Sequence, residues 1–294
     1  MSSQQPSGSA LLDMLADAIN RLKDQPPLLD IEVPALVIGD LHGDLYSLLS
    51  AFKIAEEENI ASIVFLGDYV DRGPKQLEVL CSLLEKLLNP DGDKKISMLR
   101  GNHETPSVNS SYGFLEQLKK SFPDVWEDIY SLFNTFSAHL PYAAIGGGYL
   151  LIHGGLARGL KSIDDLAKLE KPLLEPKPNT PEFEILWNDP AEFIEGFIPN
   201  TRGHGTFLFG PDITEEFVRQ NDLVGIIRSH EPPPTSRGYS IAHKDLLITI
   251  FSCRYYGVAP TGALVDQGKY EIIYLGSDIA PDREYVEYSH SGCL

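Results

Sequence analysis

The sequence predicts an α/β fold, a two-layer β-sandwich with helices on its outer faces. Three observations predict it. Short apolar runs, each the length of a buried strand, recur along the chain and stop at polar residues. Amphipathic stretches at helical spacing separate the earlier runs. From Leu246 onward the pattern turns β-rich, with a turn at Asp266-Gln267-Gly268. Strands alternating with helices, followed by strands alone, suit a layered sheet-and-helix architecture.

The elements follow in order. Residues 1–9 are Ser/Gln-rich and are expected to be disordered. Leu11, Leu12, Leu15, Ile19 and Leu22 share one helical face, and that helix ends near Pro26-Pro27. Pro74 opens a helix whose inner face is Leu77, Leu80, Leu84, Leu87 and Leu88, and Asn89-Pro90-Asp91-Gly92 stops it. Residues 111–134 read as two helices broken at Pro123, and Ser162 begins a shorter one. Residues 171–181 are Pro-rich and read as a long surface loop. Asp212 with Glu215 reads as a capping-box variant opening a helix through Val218. Residues 281–294 read as a polar tail. With no internal repeat and no dividing linker, residues 1–294 are read as one catalytic domain.

Composition excludes several function classes. Hydrophobic residues at 43% and charged residues at 22% read as a soluble globular chain. No apolar run reaches the roughly 18 residues of a membrane span. The net charge of −18 repels nucleic acid and anionic membrane, so neither is expected as a partner. Cys81, Cys253 and Cys293 are odd in number and dispersed, which points to a reducing compartment, the cytoplasm, rather than a disulfide framework.

Five apolar runs each end at a potential ligand. Ala35–Ile38 leads into Gly39-Asp40-Leu41-His42-Gly43-Asp44, and Ser62–Leu66 into Gly67-Asp68-Tyr69-Val70-Asp71-Arg72-Gly73. Ile96–Leu99 precedes Gly101-Asn102-His103-Glu104, Tyr149–Ile152 precedes His153-Gly154-Gly155, and Leu223–Ile227 precedes Arg228-Ser229-His230-Glu231. The strand ends thus present Asp40, His42, Asp68, Asn102, His153 and His230. Imidazoles mixed with carboxylates and an amide suit manganese, iron or zinc rather than calcium. Six donors exceed one tetrahedral zinc with an open position, and they suit a two-metal centre for phosphoryl displacement. Asp71 is placed to orient an imidazole and raise its pKa, with His103 as the candidate. Arg72 and Arg202 can fork onto phosphate oxygens. His139, His243 and His290 have no motif context, His204 stays undecided, and Cys253 reads as a packing cysteine.

The first three motifs resemble the three signatures of the PPP family of metal-dependent serine/threonine protein phosphatases. The resemblance continues through Tyr112-Gly113-Phe114, His153-Gly154-Gly155-Leu156, Trp187-Asn188-Asp189-Pro190, Arg202-Gly203, Arg228-Ser229-His230 and Phe251-Ser252 before Tyr255. It covers roughly residues 30 to 276. It implies a metallophosphoesterase-type β-sandwich of two mixed sheets flanked by helices. It also implies two divalent ions, manganese first, and phosphoprotein substrates hydrolysed by a hydroxide bridging the metals. Asp40, His42 and Asp68 would hold one ion; Asp68, Asn102, His153 and His230 would hold the other. His103, paired with Asp71, would be the general acid. Arg72 and Arg202 would bind phosphate, with Tyr255 over the site. The chain is little more than the catalytic core, as in prokaryotic or archaeal members. It departs from the family at Asp44, where glutamine is usual, at Leu156-Ala157-Arg158 for Leu-Ser-Pro, and at Ser110 for arginine. Its loop at residues 252–257 is one residue shorter than the eukaryotic one. A dinucleoside-polyphosphate hydrolase on the same core, and a silent phosphoprotein-binding scaffold, are the competing readings.

Overall fold

The computed structural model describes residues 7–276 apart from Asn59, Asp91 and Asp93. The polar tail expected at 281–294, and Cys293 within it, lie outside the described residues, as do residues 1–6 of the expected disordered N-terminus. Residues 7–9 correct that expectation. Ser7 caps helix α1 (Gly8–Leu22), its hydroxyl accepting from the Ala10 N–H at 3.2 Å, because Leu11, Leu15, Ala18 and Leu22 are buried and hold the helix down from its first turn.

Two mixed sheets stack face to face. One runs β14 (Lys269–Tyr274), β13 (Thr261–Asp266), β2 (Ala35–Ile38), β3 (Ser62–Phe65), β4 (Lys95–Met98). The other runs β1 (Leu28–Asp30), β5 (Ala143–Gly146), β6 (Tyr149–Ile152), β10 (Gly225–Arg228), β12 (Leu247–Ile250), β11 (Tyr239–Ala242). The expected two-sheet sandwich is therefore present. A third, small sheet was not anticipated: β7 (Asp189–Pro190), β9 (Phe207–Phe209) and β8 (Phe197–Pro199). Strands of two or three residues give too short a pattern to read from sequence.

Alternation along the strands assigns each side chain to a layer. Val37, Val64, Leu151, Ile227 and Ile248 point between the sheets. Leu36, Ile38, Ile63 and Phe65 point outward under α1, α2 (Leu45–Glu57), α3 (Gln76–Leu88) and α6 (Trp126–Ala138). Leu150, Ile152, Ile226 and Leu247 point the other way, under α8 (Pro181–Trp187) and α9 (Pro211–Gln220). Full burial of each large aliphatic or aromatic side chain contributes roughly 1.5–3 kcal/mol. The short α4 (Pro106–Asn109) precedes α5 (Phe114–Ser121), the break at Pro123 divides α5 from α6, and Ser162 caps α7 (Ile163–Leu166). The capping box expected at Asp212 does not form. Pro211 takes the first helical position, so Gly210 is the cap, and the Asp212 carboxylate instead accepts from the Gly196 N–H at 2.9 and 3.0 Å.

Register places the site. Ile38 pairs with Phe65 and Phe65 with Met98, all parallel, so three strand ends emerge at one edge. Leu151 pairs with Ile227 in the facing sheet, also parallel. Ligand-bearing loops therefore leave the carboxyl ends of parallel strands, where open α/β sheets put their sites.

Candidate active site

The strand-end loops are tightly built. His42, Asp68, Asp71, Arg72 and His230 all have positive φ, 43° to 73°, which costs non-glycine residues of order 1–3 kcal/mol each. Such backbone persists only where the surroundings impose it. Close approach demands glycine at several of these turns: a Cβ on Gly101 would collide with Asp68 Oδ1, and one on Gly73 with the His42 carbonyl oxygen. The fully buried Glu104 is the strut, accepting from the N–H groups of Asp68 at 2.7 Å, Tyr69 at 3.0 Å and Gly101 at 2.9 Å. Ser229 ties the two sheets: its hydroxyl accepts from the Asp40 N–H at 2.8 Å and donates to the Asp40 carboxylate at 2.6 Å.

The six strand-end donors converge. Asn102 Oδ1 lies 2.9 Å from His153 Nε2 and 3.0 Å from His230 Nδ1, and those two nitrogens are 3.2 Å apart. Asp68 Oδ1 is 3.4 Å from His153 Nε2. On the other side, His42 donates Nδ1–H to the Val70 carbonyl at 2.9 Å, which aims its Nε2 lone pair at Asp68 Oδ2 (3.5 Å) and Asp40 Oδ2 (3.7 Å). Asp40 Oδ2 is buried without a hydrogen bond. Asp68 is common to two groups whose ligand atoms lie together, His42-Asp68-His103 and Asp68-His153-His230.

These contacts test whether the donors fit a metal. Asn102 Oδ1 faces acceptors alone; either the amide turns over to present its N–H, or a cation sits among the lone pairs. A cation also answers the charge. Burial, with Asp40 and Glu104 beside it, pushes Asp68 well above the usual carboxylate range, and burial with His103 alongside pushes His42 down to about 4. Buried carboxylates that repel one another and imidazoles kept neutral make a divalent-metal site.

His103 and Asp71 form a separate pair. Asp71 accepts from the Phe114 N–H at 3.0 Å through Oδ1, and its Oδ2 stands 2.6 Å from His103 Nδ1. The expected rise in the imidazole pKa is absent. Burial first, then Arg72 and Arg202, holds His103 down at about 3, while burial lifts Asp71 to about 6. Burial thus favours the neutral imidazole, in direct contact with the Asp71 carboxyl. His103 Nε2 faces the ligand cluster, 3.9 Å from Asp68 Oδ2.

A cavity of about 230 Å³ opens over these groups. Asp40, His42, Asp68, Asn102, His103, His230, Arg72 and Arg202 line it; His153 and Asp71 stand behind. Arg72 stacks its guanidinium 4.2 Å over Tyr112. Arg202 is more constrained than the sequence suggested. Its Nε donates to Asp189 Oδ2, and its Nη2 reaches Asp189 Oδ1 and Glu231 Oε2, both at 3.3 Å. That edge of the fork is occupied, which leaves Nη1 for a ligand. Burial would raise Asp189, but His230, Glu231, Arg228 and Arg202 together hold it below the usual range. Asp189 and Glu104 lie inside sequence motifs, yet no local spacing pairs Asp189 with Arg202 or Glu104 with the Asp68 turn.

The tyrosine over the site is corrected. Tyr255 does not line the cavity and is 44% exposed. Tyr256 lines it, with its ring 5.6 Å from His42 and 5.0 Å from Phe251. Arg254–Tyr256 form one 3₁₀ turn, in which neighbouring side chains point about 120° apart, so one residue of loop length changes which tyrosine faces inward. His139 bonds the Thr135 carbonyl, and His243 the Thr214 hydroxyl; neither approaches the site. His204 pairs with Asn179 outside the cavity. Cys253 is buried, and burial pushes its thiol up to about 12, as befits a packing cysteine.

The comparisons with known proteins agree. Residues 33–234 match the model of the calcineurin-like phosphoesterase family. Among solved structures, the chain is similar to a protein serine/threonine phosphatase from Saccharomyces cerevisiae with similarity to human phosphatase PP5. That match has 28% identity and a TM-score of 0.79, over 93% of this chain and 91% of that one. The chain is also similar in fold to a cold-active protein-tyrosine phosphatase of a psychrophile, Shewanella sp., at 14% identity and TM-score 0.63, over 90% and 84%. No described helix is long and apolar enough to cross a membrane. The chain belongs to the calcineurin-like phosphoesterase family, as a metal-dependent phosphoester hydrolase built on a PPP-type phosphatase core.

Proposed function

We propose that the protein hydrolyses phosphoserine and phosphothreonine in phosphoprotein substrates, in a reducing cytoplasmic setting. The contact between His103 and Asp71 carries this reading. Alkoxide is a poor leaving group, and a site built for it needs a proton donor beside the phosphorus. The 28% identity with the yeast serine/threonine phosphatase, over nearly the whole chain, supports the same substrate class.

Asp40, His42 and Asp68 would hold one divalent ion, and Asp68, Asn102, His153 and His230 a second, with manganese first and iron or zinc as alternatives. When bound, these ions neutralise phosphate charge and activate the attacking water. The chain's own residues do the rest. Arg72 and Arg202 bind the phosphate oxygens, Arg202 through its remaining nitrogen. Burial holds His103 down first and the two arginines add to it; a dianion there offsets the arginines' share, so substrate raises the imidazole. The imidazole then takes a second proton at Nε2 from solvent and delivers it to the departing oxygen, while Asp71 keeps the ring oriented by accepting from Nδ1–H.

The deciding comparison is turnover of a phosphoserine peptide against a dinucleoside polyphosphate, with manganese present. The peptide should be preferred by kcat/KM. Preference for the polyphosphate would establish the nucleotide hydrolase instead, and no turnover of either would leave the scaffold.

A further inference from the structure

Asp44 takes no part in the chemistry above, yet it is fully buried and follows His42-Gly43 directly. It caps α2, with Oδ1 accepting from the Ser47 N–H at 3.1 Å and Oδ2 from the Ser47 hydroxyl at 2.8 Å. The same carboxylate takes donors from a segment 210 residues away. The Arg254 N–H donates to Oδ2 at 2.9 Å, and Arg254 Nε approaches Oδ2 at 2.9 Å and Oδ1 at 3.1 Å. Arg254 Nη2 continues to the Ser47 hydroxyl at 3.3 Å and to the Leu275 carbonyl at 3.4 Å.

Arg254 opens the 3₁₀ turn that presents Tyr256 to His42. A single carboxylate thus anchors both partners of that ring contact: the helix start just after His42, and the turn that ends at Tyr256. Exposed ion pairs hold little, but this acid is buried, and removing its cation leaves an uncompensated charge beside the loop. A three-residue 3₁₀ turn has weak bonds of its own, so outside tethers set its orientation.

We infer that Asp44 and Arg254 are a positioning pair for the phosphoesterase reaction. They touch no substrate and set its affinity by holding Tyr256 in the cavity wall beside His42.

A double-mutant cycle on the full chain, with manganese and p-nitrophenyl phosphate, tests this without depending on the natural substrate. Arg254→Ala should raise KM about tenfold, within the coupling range of contacting residues, and leave kcat within about twofold. Tyr256→Ala should do the same. The double variant should be no worse than Tyr256→Ala alone. Independent, multiplying losses would overturn the proposal, as would a Tyr256→Ala enzyme with wild-type KM, or an Arg254→Ala enzyme that loses kcat or bound manganese at unchanged KM. Arg254→Gln, which keeps much of the length but not the charge, carries the same readings should Arg254→Ala not fold.

Discussion

The ligand hub and the cavity rim are made differently. In the hub, Asp40, Asp68, Asn102, His153 and His230 leave the ends of parallel strands, and strand register puts them together. In the rim, Arg202 and Tyr256 ride on loops, and carboxylates hold them in place: Asp189 and Glu231 for the first, Asp44 for the second through Arg254. The difference teaches where function is robust. A hub residue is fixed by a whole sheet and fails by losing its own chemistry. A rim residue is fixed by a few side-chain bonds and fails by drifting.

The hub should show the largest effect. Asp68→Asn weakens the residue common to both ligand clusters and should cut kcat by at least about 10²–10³-fold, the cost of losing one preorganised electrostatic group. The thermal midpoint should move little, because Asn keeps an oxygen for the His103 N–H at 3.0 Å. Full activity in this variant, or in chelator-treated enzyme, would remove the two-metal reading.

His103 lies at the boundary between the two regions. His103→Asn should lose roughly 10²–10⁴ in rate on a phosphoserine peptide, and far less on p-nitrophenyl phosphate, whose phenolate leaves without a proton. Metal content should be unchanged. Equal slowing of both substrates, or loss of metal, would make His103 a ligand or an orienting group and place it wholly in the hub.

Rim substitutions should be milder. Arg202→Ala should raise KM about tenfold, as for one charge-assisted contact, with little change in melting temperature, because Asp189 keeps Arg228 at 2.9 Å and Asn200 at 2.8 Å. A melting temperature lowered by more than several degrees would mark Arg202 as structural. The smallest effect belongs to Tyr255→Ala: its ring stands outside the cavity, so KM and kcat should both stay within about twofold of wild type. A tenfold change in either would return Tyr255 to the site.

The sequence by itself determined the hub. Gly39-Asp40-Leu41-His42, Gly67-Asp68 and Gly101-Asn102-His103 each follow an apolar run, and local chemistry explains them: a strand must end, the backbone must turn through positive φ or past a missing Cβ, and the polar residue is left at the edge. The cap at Gly210 has a local cause, the position of Pro211, whereas the helix start at residues 7–9 is set by burial of Leu11 where α1 packs on α6, a tertiary cause that composition does not show. Only tertiary structure decided the rim. That Tyr256 rather than Tyr255 faces His42 depends on how a 3₁₀ turn is rotated, and Asp44 sets that rotation from 210 residues away. The restraint on Arg202 by Asp189 and Glu231, and the depressed basicity of His103, are likewise products of burial and long-range charge. Electrostatics in a buried site depends on distances that a linear pattern does not contain, whereas strand ends and glycine turns are written in neighbouring residues.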